Sequence, residues 1–235
     1  MNAKNCFFSL CFGMAILGSG VDGTCQSAKN DKTYQGKPFN DSSYKGGAQT
    51  IPGKLQCEYY DFGGEGIAYH DSDTTNSGSG RLNTADGSYL HEFRINEAVD
   101  ISFTKFQNPP IDNTQYNFVE QQKDQLYVGW TKPDEWTKYT VNVQKGGTYQ
   151  LGIMFTSNKG GKISVAVNDI DATGSLSIPS TFVAADSVPW RQWHHWNYID
   201  KIADIDLKKG VQTITLHTAE TGEMNYDYIN FRLVK

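Results

Sequence analysis

The chain has little that would hold it in a membrane, dock it on nucleic acid or staple it with sulfur. Its one long apolar run, near the start, is shorter than the roughly 20 residues a membrane-spanning helix needs. Basic residues are outnumbered, 21 Lys and Arg against 26 Asp and Glu in 235 residues, for a net charge of -5. The basic stripe that nucleic-acid binding requires is therefore missing. Four cysteines occur, and three of them, Cys6, Cys11 and Cys25, stand in or beside the opening apolar run. Cys57 is left alone in the body. It closes no intrachain disulfide, so packing or a metal must hold the body together. Cys57 itself reads as a small buried hydrophobe. Proline is scarce, 7 against 23 glycines, and 13 Tyr, 12 Phe and 5 Trp describe an aromatic, glycine-turned β protein.

The first residues follow the order of an export signal. MNAK is positive, CFFSLCFGMAILGSG is a short apolar run, and VDGTCQSA supplies small residues suited to cleavage. Residues 1–27 are expected to be a secretory signal peptide, which places the mature chain outside the cell, in a periplasm or on a cell surface. A lipid anchor on Cys25 is the alternative, although Asp22-Gly23-Thr24 fits poorly the apolar-small pattern that precedes such a cysteine. Residues 28–50, polar and without period, read as a flexible linker. From Ile51 the pattern turns to short β-branched and aromatic runs between glycine turns: LQCEYYDF, TKYTVNV, TYQLGIMFTS, KISVAVND, QTITLHTA and YDYINFRLV. No amphipathic helix of useful length is visible. Residues 51–235 are expected to form a single all-β domain, an antiparallel β-sandwich. The Gly, Asp, Asn and Ser-rich stretch between Phe62 and Val128 suits long ordered loops at one end of it.

Several chemistries are excluded by what surrounds their motifs. GGEG and SGSG are followed neither by Lys-Ser/Thr nor by a helix, so no phosphate loop is present. No G-x-S-x-G occurs. His70, His91, His194, His195 and His217 are scattered, and the adjacent pair in HHW sends its side chains to opposite faces of an extended segment, a poor zinc chelate. Glycosidase chemistry asks for two carboxylates across a cleft; Glu65, Asp71, Glu92, Glu97, Asp100, Asp134 and Glu135 are candidates that no spacing selects.

Two features speak for binding. Gln56 and Glu58, two apart on the first strand, share a face, and Asp227 stands on the last strand, which commonly lies beside the first in a sandwich. Their oxygens would suit calcium, though edge carboxylates are more often merely solvated. The aromatic stretches WRQWHHW and NYDYI offer flat faces among polar groups. A sugar wants such a site, with rings for its C–H faces and amides or carboxylates for its hydroxyls. For any one tryptophan, burial in the core is the competing reading.

The body resembles family 6 carbohydrate-binding modules, β-jelly-roll sugar binders with a galactose-binding-like fold. The carrying stretches, in the family's order, are QCEYYDFGGEGIAYHD, FRINEAVDI, LYVGWTKPDEWTKYTVNV, GGTYQLGIMFTS, GGKISVAVND, TGSLSIPST, VPWRQWHHW and MNYDYINF. The resemblance implies a sugar ring held between Trp190 and Trp130 in a loop cleft, with Asn225 reading hydroxyls. Glu65 and Tyr69 would reach the same cleft. It also implies a structural calcium at Gln56, Glu58 and Asp227, and a core position for Trp136 and Trp193. The chain departs from the pattern at Pro133-Asp134-Glu135, at the longer FVAADSVP loop, at HHW, and at the insert TKFQNPPIDNTQYNFVEQQKDQ. These departures surround the expected cleft mouth.

The expected function is that of a secreted, non-catalytic protein that binds a polysaccharide or oligosaccharide, alongside enzymes acting on the same glycan. A small glycoside hydrolase or lyase using Glu65 and Asp71 is the alternative, and an adhesive surface protein is a third reading.

Overall fold

A computed structural model describes residues 34–235. The expected signal peptide, with Cys6, Cys11 and Cys25, and residues 28–33 of the expected linker lie outside the described residues. In chain order the strands are β1 (Gln49–Ile51), β2 (Gly53–Gln56), β3 (Tyr69–His70), β4 (Ser79–Gly80), β5 (Asn83–Thr84), β6 (Ile101–Phe103), β7 (Leu126–Val128) and β8 (Trp136–Val143). There follow β9 (Gly147–Ser157), β10 (Gly161–Val167), β11 (Ile170–Asp171), β12 (Leu176–Ile178), β13 (Asn197–Leu207), β14 (Gly210–Glu220) and β15 (Met224–Leu233). One helical turn, α1 (Tyr89–Glu92), and 3-10 turns at Cys57–Tyr59 and Pro189–Trp193 are the described helical pieces. Among the described residues no helix is long and apolar enough to cross a membrane.

The strands form the expected sandwich. One sheet runs β1-β8-β14-β10-β11, with β12 on β10 and β3 on β8; the other runs β13-β9-β15-β7-β6, with β2 on β15. Pairing is antiparallel except between β1 and β8 and in the small β4–β5 ribbon. Period-2 alternation builds the core between the sheets. Tyr139, Val141 and Val143 of β8 meet Tyr149, Leu151, Ile153 and Phe155 of β9 in one buried cluster with Ile229 and Phe231 of β15. Each such side chain contributes about 1.5–3 kcal/mol by leaving water.

The β15–β9 ladder slips at one residue. Tyr226 pairs with Phe155 and Tyr228 with Met154, so Asp227 is the extra residue of a bulge. The slip sends Tyr226 into the inter-sheet core and Tyr228 to a second cluster around Tyr127, Met154 and Trp196. Bulges re-aim side chains in this way, and here Asp227 is left fully buried.

Three elements differ from the sequence expectation. LQCEYYDF is strand only to Gln56, where Cys57–Tyr59 turns as a 3-10 segment. The domain also begins before Ile51. Phe39 is buried among Tyr44, Tyr59, Phe62 and Phe93, Lys37 and Phe62 exchange backbone hydrogen bonds, and Tyr34 donates to Asp61 Oδ2 at 3.0 Å. Three aromatic side chains thus anchor a stretch whose average composition is that of a tether. The third difference is β13, eleven residues at the sheet edge. Asp200, Lys201, Asp204 and Asp206 are exposed along it, charges that guard an open edge and blur its alternation.

Candidate functional site

Trp130, Trp190 and Asn225 line one cleft of about 470 Å³, a volume in the usual range of ligand sites, roughly 300–1,000 Å³. Trp130 is 37% exposed and Trp190 51%, unusual for the largest apolar side chain. Trp130 holds a left-handed backbone, φ 49, a conformation that costs a non-glycine residue about 1–3 kcal/mol unless its surroundings impose it. They do. Gly129 N–H donates to Asp100 O at 2.9 Å, while Thr131 Oγ1 donates to Met224 O at 3.0 Å and accepts from Met224 N at 3.1 Å. Gly129 is also required for space, since a Cβ there would lie 2.8 Å from Asn225 Oδ1.

Asn225 divides its amide between structure and cleft. Its Nδ2 donates to Thr156 Oγ1 at 3.0 Å and to Trp193 O at 2.8 Å. Its Oδ1 accepts no hydrogen bond within the described residues.

Trp190 stands on the 3-10 turn, fixed from below by a buried acid. Arg191 grips Asp186 with two bonds of 2.6 Å, and His195 Nε2 lies 2.9 Å from Asp186 Oδ2. The Arg191 guanidinium holds the Asp186 carboxyl well below the usual carboxylate range. Gln192 adds bonds to Val183 and Asp186.

The HHW stretch, which the family pattern leaves unexplained, divides in three. His194 lines the cleft edge-on to Trp190, with ring centroids 5.9 Å apart. His195 is buried against Asp186 and Thr181 O. Trp196 is fully buried on Tyr127. The insert 104–125 packs against this stretch. Its Asp112 accepts from Trp196 Nε1 at 2.7 Å and meets His194 Nδ1 at 2.9 Å, and its Lys105 and Ile111 form a cleft wall.

Four positions depart from expectation. Trp193 lines the cleft and is only partly buried. Trp136 is half-buried on the outer face of its sheet, tilted against His217 with Lys138 Nζ 5.4 Å from its ring. Tyr69 is buried, T-shaped on Tyr60, and accepts from Ala98 N–H. Glu65 is exposed and spent on His70 Nδ1 at 2.5 Å and Asp71 N–H at 3.0 Å. Neither Tyr69 nor Glu65 lines the cleft with the tryptophans. The loop carrying them follows the pairing of β3 to β8, which takes it to the other sheet.

The second candidate site is the buried acid pair. Tyr228 pairs with Gln56 across β15 and β2, so the strand that carries Gln56 adjoins the last strand, while β1 lies in the other sheet on β8. Glu58 rides the 3-10 turn rather than the strand face. Gln56 Oε1, Glu58 Oε2 and Asp227 Oδ1 are all buried without a hydrogen-bond partner. The other carboxylate oxygens are held by the insert: Gln125 Nε2 lies 3.3 Å from Glu58 Oε1, and Gln121 Nε2 2.8 Å from Asp227 Oδ2. Burial pushes Asp227 up to about 7. Burial, then the Asp227 charge, pushes Glu58 well up. Three orphaned oxygens, two of them acidic and mutually repelling, are what a hard cation would satisfy. Among the described residues no cluster of three or more His, Cys, Asp or Glu is arranged for a metal; this set has two carboxylates and an amide.

No family model and no curated protein matches the sequence. Solved structures do resemble the fold, family 6 carbohydrate-binding modules from several organisms among them. A β-1,3-glucan binding module from Bacillus halodurans matches at 14% identity over 79% of this chain and 98% of that chain, TM-score 0.47. A module from Clostridium stercorarium in complex with cellobiose matches at 13% identity over 80% and 99%, TM-score 0.48. A family 43 arabinoxylan arabinofuranohydrolase from Bacillus subtilis matches at 13% over 84% of this chain but 33% of that chain, TM-score 0.48. At such identities no residue role passes from them to this chain.

Proposed function

We propose that the chain is a secreted, non-catalytic carbohydrate-binding protein whose loop cleft holds a glycosyl ring of a polysaccharide or oligosaccharide. The observation that carries this reading is the pair Trp130 and Trp190, both exposed and lining one cleft beside the unspent Oδ1 of Asn225. The indole faces would take the C–H faces of the sugar, and Asn225 Oδ1 would accept from a hydroxyl. Trp193 and His194 extend the lining. An open, wet site of this kind gives modest affinity, because hydroxyls exchange water for protein at little net gain.

Calcium would be held by Gln56, Glu58 and Asp227, where it would tie β2 and its turn to β15 and neutralise two buried acids. It would act on stability and stand apart from the sugar. Enzymes acting on the same glycan are the natural companions of such a protein.

A hydrolase built on Glu65 and Asp71 has poor support. The cavity that Asp71 lines holds about 20 Å³, room for a water and not a sugar, and Glu65 Oε2 already accepts the Asp71 N–H. Affinity electrophoresis against diverse polysaccharides tests the proposal. Retardation by at least one glycan, lost in Trp190→Ala, is the expected result. Sustained reducing-sugar release abolished by Glu65→Gln would overturn the non-catalytic reading.

A further inference from the structure

One lysine in the cleft makes no direct ion pair. Lys105, at the start of the insert, lines the cleft together with one carboxylate, Glu223. Its Nζ donates to Asn83 Oδ1 at 2.6 Å and stands 4.7 Å from the Phe103 ring centroid. Among the described residues it makes no ion pair, and two of its three N–H donors are unspent. Burial pulls its ammonium below the usual lysine range, against the pull of Asp112.

The neighbouring acids are otherwise engaged. Asp112 Oδ2 takes the backbone N–H of Lys105 itself at 2.7 Å, and its Oδ1 serves His194 and Trp196. Glu223, the carboxylate lining the cleft, is paired with Lys159 at 2.8 Å. A partly desolvated ammonium with free donors is costly, and a neutral hydroxyl does not cancel its charge. A ligand carboxylate or sulfate would do so through charge-assisted bonds.

We propose that Lys105 makes this cleft prefer glycans bearing an anionic substituent, a uronic acid carboxylate or a sulfate ester, over their neutral counterparts. The inference rests on the carbohydrate-binding reading of the same cleft. The aromatic faces would hold the ring while Lys105 takes the substituent at the wall formed by the insert.

Isothermal titration with matched pairs tests it: an oligogalacturonide against its carboxyl-reduced form, and a sulfated galacto-oligosaccharide against its desulfated form. The expected result is about tenfold tighter binding of the anionic member in one pair, the gain of one charge-assisted bond. Which pair responds tells carboxylate from sulfate. The ratio should fall towards one in Lys105→Gln and in Lys105→Met, which keeps the stem over Phe103. It should survive in Lys105→Arg and shrink with added salt. Equal affinity within both pairs, or a ratio indifferent to the loss of the Lys105 charge, overturns the proposal and leaves the carbohydrate reading standing. No binding of either pair, or of any glycan in the wider panel, overturns both.

Discussion

Trp196 Nε1 donates to Asp112 Oδ1 at 2.7 Å, with both side chains fully buried. The bond pins the insert to the end of the HHW stretch, and Phe118 and Val119 N–H groups add two more to Trp196 O at 2.9 and 3.2 Å. Asp112→Ala would orphan the indole N–H, His194 and the Lys105 N–H together. We expect it to cost about 3 kcal/mol, since each abandoned buried donor costs roughly 1–3 kcal/mol and relaxation recovers part. Urea unfolding measures this; a loss under about 0.5 kcal/mol, the scale of an ordinary surface change, would mean the insert is not held here.

Truncating the cleft rings should act on binding and spare the fold. Trp190 and Trp130 are exposed, so Trp190→Ala and Trp130→Ala remove little core contact. Each should weaken glycan binding by about 2 kcal/mol, roughly thirtyfold, the scale of a central aromatic contact. Gly129→Ala should weaken it too, because the new Cβ would push on Asn225 Oδ1. Calorimetric titration beside a melting curve separates the effects; binding untouched in both tryptophan variants would remove the cleft from the account.

The sequence was legible where one local rule decided the outcome. Strands such as TYQLGIMFTS and KISVAVND follow from alternation, and the sandwich follows from their spacing. Trp130, Trp190 and Asn225, far apart in the chain, do meet. What escaped depends on long-range partners. Trp193 and Trp196 stand three apart in one stretch, yet Trp196 is the buried one because Asp112 and Tyr127 wait for it, and no local pattern announces that. Lys105 gives no motif either. Its place in the cleft follows from the fold of the insert, whose Asp112 closes back on the Lys105 N–H. Glu58 left the strand face for a turn, so the period-2 argument failed while the residue remained beside Asp227.

The acid pair yields a stability prediction. Calcium should raise the melting temperature and a chelator should lower it, because a ligand of the folded state alone stabilises by mass action, about 2.7 kcal/mol at a hundredfold excess over Kd. Asp227→Asn and Glu58→Gln should each lose most of this response. Without calcium both variants should also gain stability as pH rises above about 7, since burial holds both carboxyls up and ionising them inside the fold is costly. Identical melting with chelator and with calcium would show that no ion is held there.

Asp71 governs a separate pH effect. Burial pushes its carboxyl up to about 7, above the ordinary value of about 3.9. The folded state therefore holds the proton more tightly than the unfolded chain. The stabilisation is fully present below about pH 4 and is lost as pH rises through about 7. Asp100, pushed up by burial to about 6, acts in the same direction. Asp71→Asn keeps the Oδ1 acceptor for Asp73 N–H and removes the charge. It should raise the melting temperature at pH 8 more than at pH 5. An unchanged difference between the two pH values would rule Asp71 out as its source.

Phe39 decides where the domain begins. It stacks on Tyr59 with centroids 5.3 Å apart and an 8° interplanar angle, touches Tyr44, Phe62 and Phe93, and lies under the Arg94 guanidinium at 5.0 Å. Arg94 in turn donates to the Tyr60 and Asp61 carbonyls, so the ring roofs a junction between the chain's entry and the first long loop. Phe39→Ala should cost about 3–5 kcal/mol, the usual range for a buried phenylalanine. A chain starting at Ile51 should lose more, because Tyr44, the Lys37–Phe62 bridge and the Tyr34–Asp61 bond go with it. A flexible linker would make both changes silent, and equal urea midpoints for the two chains and the parent would restore the boundary at Ile51.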